Sequence, residues 1–111
     1  MLVTALVPRP EEREPFRWSH QKFVPSDSGA YVLSTASGVV LYIGLTVNLN
    51  ERMGQHLENP EKTEEKSLGR ASLFQWLVTR NYLAVERGWM NIHIQHEGRL
   101  PVLNKIFSPT D

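Results

Sequence analysis

Two runs rich in β-branched and aromatic residues, Tyr31-Val32-Leu33-Ser34 and Val39-Val40-Leu41-Tyr42-Ile43, flank the small-residue stretch Ala36-Ser37-Gly38. That pattern is a β-hairpin signal, and it constrains what the rest of the chain can become. Each run places a tyrosine close to a glycine: Gly29-Ala30-Tyr31 opens the first strand and Tyr42-Ile43-Gly44 closes the second. A loop with an even number of residues sets Tyr31 and Tyr42 on one face, opposite or diagonal; an odd, bulged loop separates them.

After the hairpin the period changes. Asn48 followed by Glu51 is a close variant of a capping box, and Leu49, Met53 and Leu57 recur every four residues as a buried stripe. Arg52 and His56 share the same spacing and lie together beside that stripe. Asn59-Pro60 ends the helix, and the charged tract 61–70 need not be well ordered. Ser72 to Thr79 reads as a helix end or, preferably, a third strand. Tyr82 to Ile94 has apolar residues around most of its circumference, as expected for a helix laid across a sheet, although Gly88 weakens it. Leu100 to Asn104 leaves that helix and returns over the core. The first 27 residues, with Pro8, Pro10, Pro15 and Pro25 and the run Glu11-Glu12-Arg13-Glu14, read as an extended arm pinned by Phe16, Trp18 and Phe23. Residues 28–111 form the expected domain.

Composition narrows the function. With 41% hydrophobic residues in 111, the chain can bury one core. Lys plus Arg and Asp plus Glu both number 12, so the net charge is zero, and contact with nucleic acid needs a local basic patch or a partner. The absence of cysteine excludes disulfides, thiolate metal sites and cysteine nucleophiles. Met1 to Val7 is too short to span a membrane and Pro8 closes it, so cytoplasmic residence with no membrane partner is the default expectation.

The tyrosine motifs, Asn48-Leu49, Arg52, Glu86 and Pro101-x-x-Asn104 come in an order that resembles the GIY-YIG nuclease family, over roughly residues 28–106. The resemblance implies a stand-alone α+β domain with a small three-stranded antiparallel sheet flanked by helices. It also implies metal-dependent hydrolysis of phosphodiester bonds in DNA. In that family pattern Tyr31 takes the proton of the attacking water, directly or with the metal's help. Arg52 clamps the phosphate, since a planar guanidinium binds two oxygens and keeps its charge. Glu86 holds Mg²⁺ or Mn²⁺, which keeps most of its waters on a single carboxylate, while Tyr42, His56 and Asn104 position these groups. Gly44, Arg52, His56, Lys66 and Arg70 are the expected substrate contacts.

Chemistry alone supports Glu86, because a carboxylate amid Leu83, Val85, Trp89 and Met90 is costly to bury without compensation. A salt bridge to Arg87, Arg80 or an N-terminal arginine is its ordinary alternative. Tyr31 and Tyr42 also suit plain strand packing, Arg52 and His56 a solvated helix surface, and Asn104 a turn. His93 and His96 share the helix of Glu86 without a zinc spacing. Two departures stand out: Gly-Ala-Tyr replaces Gly-Ile-Tyr, and Leu45 stands where the family often has a lysine or another polar residue. They sustain a rival reading, a catalytically weak or inactive module that binds nucleic acid or recruits a protein. A targeting partner would supply substrate choice, and a homodimer would let a nicking domain cut both strands.

Overall fold

The structure, a computed structural model, describes residues 1–105. In chain order they form β1 (Glu12–Pro15), β2 (Gly29–Ser34), β3 (Val40–Thr46), α1 (Leu49–Leu57), α2 (Pro60–Thr63), β4 (Leu73–Val78) and α3 (Tyr82–Glu97), with 3-10 turns at Val3–Ala5 and Trp18–Phe23. The strands make one antiparallel sheet in the order β1-β4-β2-β3. Residues 106–111, the end of the expected domain, lie outside the described residues.

The hairpin is β2–β3, and its register answers the question its loop left open. Tyr31 pairs with Gly44 and Leu33 with Tyr42, so the two tyrosines are diagonal neighbours on one face; the register slips only beyond them, between Leu33 and Ser34. β2 is an inner strand, and all its residues are buried because both faces are covered. Tyr31 and Leu33 face a cluster with Leu49 and Met53 of α1. Ala30 and Val32 face one with Trp89 and Met90 of α3. The alternation of strand residues thus sorts the chain into two half-cores.

The sheet has four strands, one more than expected, and the extra one comes from the arm. β1 pairs with β4, and Pro15 and the charged residues Glu12, Arg13 and Glu14 are tolerated because β1 is an edge strand, where a missing N–H and exposed charges do no harm. The pins also differ. Phe16 is buried as expected, but Trp18 and Phe23 are more than half exposed, and Val3, Leu6 and Val24 enter the core instead. The Trp89 indole donates to the Pro8 carbonyl at 2.7 Å, fastening the start of the chain to α3.

The helices follow their sequence signals. The Asn48 side chain accepts from the Glu51 amide at 3.0 Å, and α1 ends at Leu57. Part of the charged tract is regular after all: Asn59 caps α2 by accepting from the Glu61 amide, and Pro60 occupies its first position, where no N–H is required. α3 runs through Gly88 and ends at Gly98 in the left-handed conformation, φ 73°. Among the described residues no helix is long and apolar enough to cross a membrane.

Candidate active site

The site grows from the α1 face of the hairpin. Tyr31 points from the inner strand β2 toward α1, where His56 is the last buried residue of the helix. The Tyr31 hydroxyl and His56 Nε2 share a hydrogen bond of 2.6 Å, so a proton has a direct route between phenol and imidazole. Tyr42 completes the group: its ring lies 6.0 Å from Tyr31 and meets the His56 ring edge-on at 5.0 Å. Phe74 stacks on Tyr31 at 5.1 Å. In this setting the Tyr31 ring is fully buried, and Tyr42 and His56 are 3% and 4% exposed.

Both motif glycines have steric reasons. A Cβ at Gly44 would stand 2.5 Å from Cζ and Oη of Tyr31, so the phenol occupies the space that a side chain would fill. A Cβ at Gly29 would collide with the Leu77 carbonyl of the neighbouring strand β4. Asn104 holds the same motif from outside the sheet. Its Oδ1 accepts from the Ile43 amide at 3.0 Å and its Nδ2 donates to the Ile43 carbonyl at 2.9 Å. Together with the Leu103 amide, which donates to the Leu41 carbonyl, it supplies partners to an edge strand that would otherwise end in open groups.

Arg52 lies one turn before His56 on α1. It is half-buried, and its Nη1 is enclosed with no hydrogen-bond partner among the described residues. That nitrogen carries N–H donors without a protein acceptor, and an anion reaches them only when the surrounding side chains move. A residue of the charged tract joins this face: Lys62 of α2 is 7% exposed, with its ammonium 4.9 Å from the centre of the Tyr42 ring. The Asn59-Pro60 helix start was the signal that could have found it. Leu45, by contrast, pairs with Ala30 and belongs to the other face of the hairpin, so the cation beside the tyrosines comes from α2.

Glu86 comes from the long helix α3. It sits on α3 in line with Trp89, Met90 and His93, fully buried. Among the described residues no three His, Cys, Asp or Glu side chains cluster to cage an ion, so a metal here would have Glu86 as its protein ligand and water for the rest. One hard carboxylate suits Mg²⁺ or Mn²⁺ and not a structural zinc. Because Glu86 has no accessible surface, a hydrated ion reaches it only when its neighbours shift. His93 donates from Nδ1 to the Arg99 carbonyl at 2.8 Å, and burial holds its pKa below the ordinary histidine value. His96 is exposed. Lys66 lies in a turn bridged to Gly69, 3.9 Å from Glu64, and Arg70 is exposed and lines a groove with Arg17 and His20.

This arrangement, a tyrosine hairpin backed by an arginine helix and crossed by a glutamate helix, is that of a nuclease-type domain. The model of the GIY-YIG catalytic domain matches residues 27–95, and the chain belongs to the GIY-YIG family. Over 61 residues it is 33% identical to UvrABC system protein C from Thermoanaerobacter sp. (strain X514), and equally to that of Thermoanaerobacter pseudethanolicus. The match takes in 52% of this chain and spans only a tenth of the length of those relatives.

Proposed function

We propose that this domain is a divalent-metal-dependent endonuclease that hydrolyses phosphodiester bonds in DNA. The observation that carries the reading is the 2.6 Å hydrogen bond between Tyr31 and His56, in a cluster that begins one helix turn from Arg52. With its own proton shared toward His56, Tyr31 accepts the proton of a water as the water oxygen attacks phosphorus, and the bond to the leaving oxygen breaks. Arg52 binds the phosphoryl oxygens, where negative charge grows in the transition state. Lys62 adds a second cation over Tyr42. Asn104 keeps the Tyr42-Ile43-Gly44 backbone in place, which preserves the space that Tyr31 occupies. Glu86 would hold Mg²⁺ or Mn²⁺, and the ion's contribution is Lewis-acid stabilisation of the leaving oxygen.

The enclosure of Tyr31 and Glu86 favours a second reading, a module that binds nucleic acid and turns it over weakly or not at all. Cleavage separates the two. Labelled single-stranded, duplex and branched DNA, and RNA, are incubated with the protein in Mg²⁺, Mn²⁺ or EDTA. Metal-dependent cutting that falls by roughly 10²–10³ in both Arg52→Ala and Glu86→Ala is the expected result. Binding without cutting in any metal would leave the second reading standing, and equal residual cutting in all three proteins would mean that it comes from a contaminant.

A further inference from the structure

We infer that the turn Arg17–Phe23 is a docking platform for unpaired nucleotides, a feature of this chain outside the segment matched by the family. It rests on the reading that the domain acts on nucleic acid. The first observation is composition in place: Trp18 and Phe23 are 54% and 56% exposed, within a seven-residue stretch that also carries Arg17, His20 and Lys22. Single exposed apolar residues are ordinary on a protein surface. Two large aromatic rings interleaved with cations form a different pattern, because bases stack on the rings while the cations neutralise the phosphates between them.

Electrostatics point the same way. With zero net charge, attraction to a polyanion must be local. The groove beside the turn is lined by Arg17, His20 and Arg70 together with Phe16, Thr63 and Ser72, and among the described residues no carboxylate lines it. Among the described residues Arg17, Lys22 and Arg70 form no ion pair, whereas Lys66 and Lys105 do. The Lys22 ammonium lies over the Phe23 ring, 5.3 Å from its centre, so a cation accompanies the ring.

The platform is also fixed relative to the candidate active site. The Gln21 side-chain amide donates to the Asn50 carbonyl at 2.9 Å, and Asn50 Nδ2 donates back to the carbonyls of Gln21 and Val24 at 2.8 and 2.9 Å. Asn50 precedes Arg52 by two residues on α1. Gly54 allows the close approach: a Cβ there would lie 2.6 Å from the Gln21 amide nitrogen and 3.6 Å from the Trp18 ring. A strand stacked on Trp18 and Phe23 is thereby held against the helix that carries Arg52 and His56, with little ordering left to do on binding.

The test uses a property of the chain. Of its three tryptophans, Trp76 and Trp89 are 4% and 0% exposed, so a change in emission on adding ligand reports Trp18. Short oligo-dT and oligo-U are titrated in EDTA, and a labelled oligonucleotide followed by anisotropy serves for the variants. The expected result is saturable quenching that weakens as salt rises. Trp18→Ala and Phe23→Ala each loosen binding on the order of tenfold. Arg17→Glu with Lys22→Glu, both exposed and checked for native melting, loosens it further and flattens the salt dependence. Binding with unchanged emission, native affinity in the aromatic variants, equal affinity for blunt duplex, or no binding at all would overturn the platform. Metal-dependent cleavage in a protein whose platform variants bind normally would sink this inference alone; quenching without any metal-dependent cleavage would sink the nuclease reading alone.

Discussion

The two faces of the sheet bury polar chemistry in opposite ways. On the α1 face the polar groups are gathered: Tyr31, Tyr42 and His56 pack ring against ring, and Lys62 closes over Tyr42. On α3 the buried polar groups Glu86 and His93 lie two turns apart on one helix stripe that also carries Trp89 and Met90. The difference fits the work proposed for each. Proton transfer needs two titratable groups at hydrogen-bond distance. A carboxylate that would hold a hydrated ion can act as the single protein ligand, with water in the remaining positions.

Packing separates the faces most sharply at their glycines. Gly44→Ala places a methyl group against the Tyr31 phenol, which cannot retreat from an inner strand, and about 1–3 kcal/mol of stability is expected to go, together with cleavage. Gly88→Ala on α3, where nothing lies within 4 Å of the new Cβ, is expected to stabilise by about 0.5–1 kcal/mol. Urea melts of the two variants check both signs; a Gly44→Ala protein as stable as the parent would mean that the tyrosine cluster is looser than its geometry. Lys62→Met keeps the volume of a buried side chain and removes the charge over Tyr42. Cleavage is expected to drop roughly tenfold, less than for a donor in direct phosphate contact, while the melting temperature stays nearly constant. An unchanged rate would remove Lys62 from the α1-face chemistry.

The smallest effect belongs to the α3 face. Burial lowers the His93 pKa in the folded protein, so the unfolded chain binds a proton more readily. The associated stability is therefore fully present above the ordinary histidine value and is lost as pH falls through the lowered folded value. Comparing stability between pH 7.5 and 5 for the parent and His93→Gln should show a shallower acid loss in the variant. Identical slopes would assign the acid sensitivity to other groups.

Much of this fold was legible because it rests on local signals. The hairpin, the Asn48 cap and the three-residue span to Glu51, and the stop at Asn59-Pro60 each depend on neighbours within a few residues. The edge strand β1 was not legible, since its pairing with β4 joins residues some 60 positions apart and its own sequence, charged and ending in Pro15, lacks strand character. The exposure of Trp18 and Phe23 was misread for a related reason: an aromatic side chain signals a large apolar surface, but not whether anything in the chain covers it. Lys62 was hidden in a charged tract whose solvated appearance concealed a short helix directed at Tyr42.

The order of motifs, the diagonal or opposed placement of Tyr31 and Tyr42 for an even pairing, and the shared turn of Arg52 and His56 were determined by the sequence alone, because strand and helix periods translate spacing into direction. Tertiary structure decided which of these side chains meet. It set His56 at 2.6 Å from Tyr31, made Gly44 the space for a phenol, and aligned Asn104 with Ile43, 61 residues away. Those contacts come from strand register and from the seating of helices on two faces of one sheet, a property of the whole packed core that no local pattern encodes.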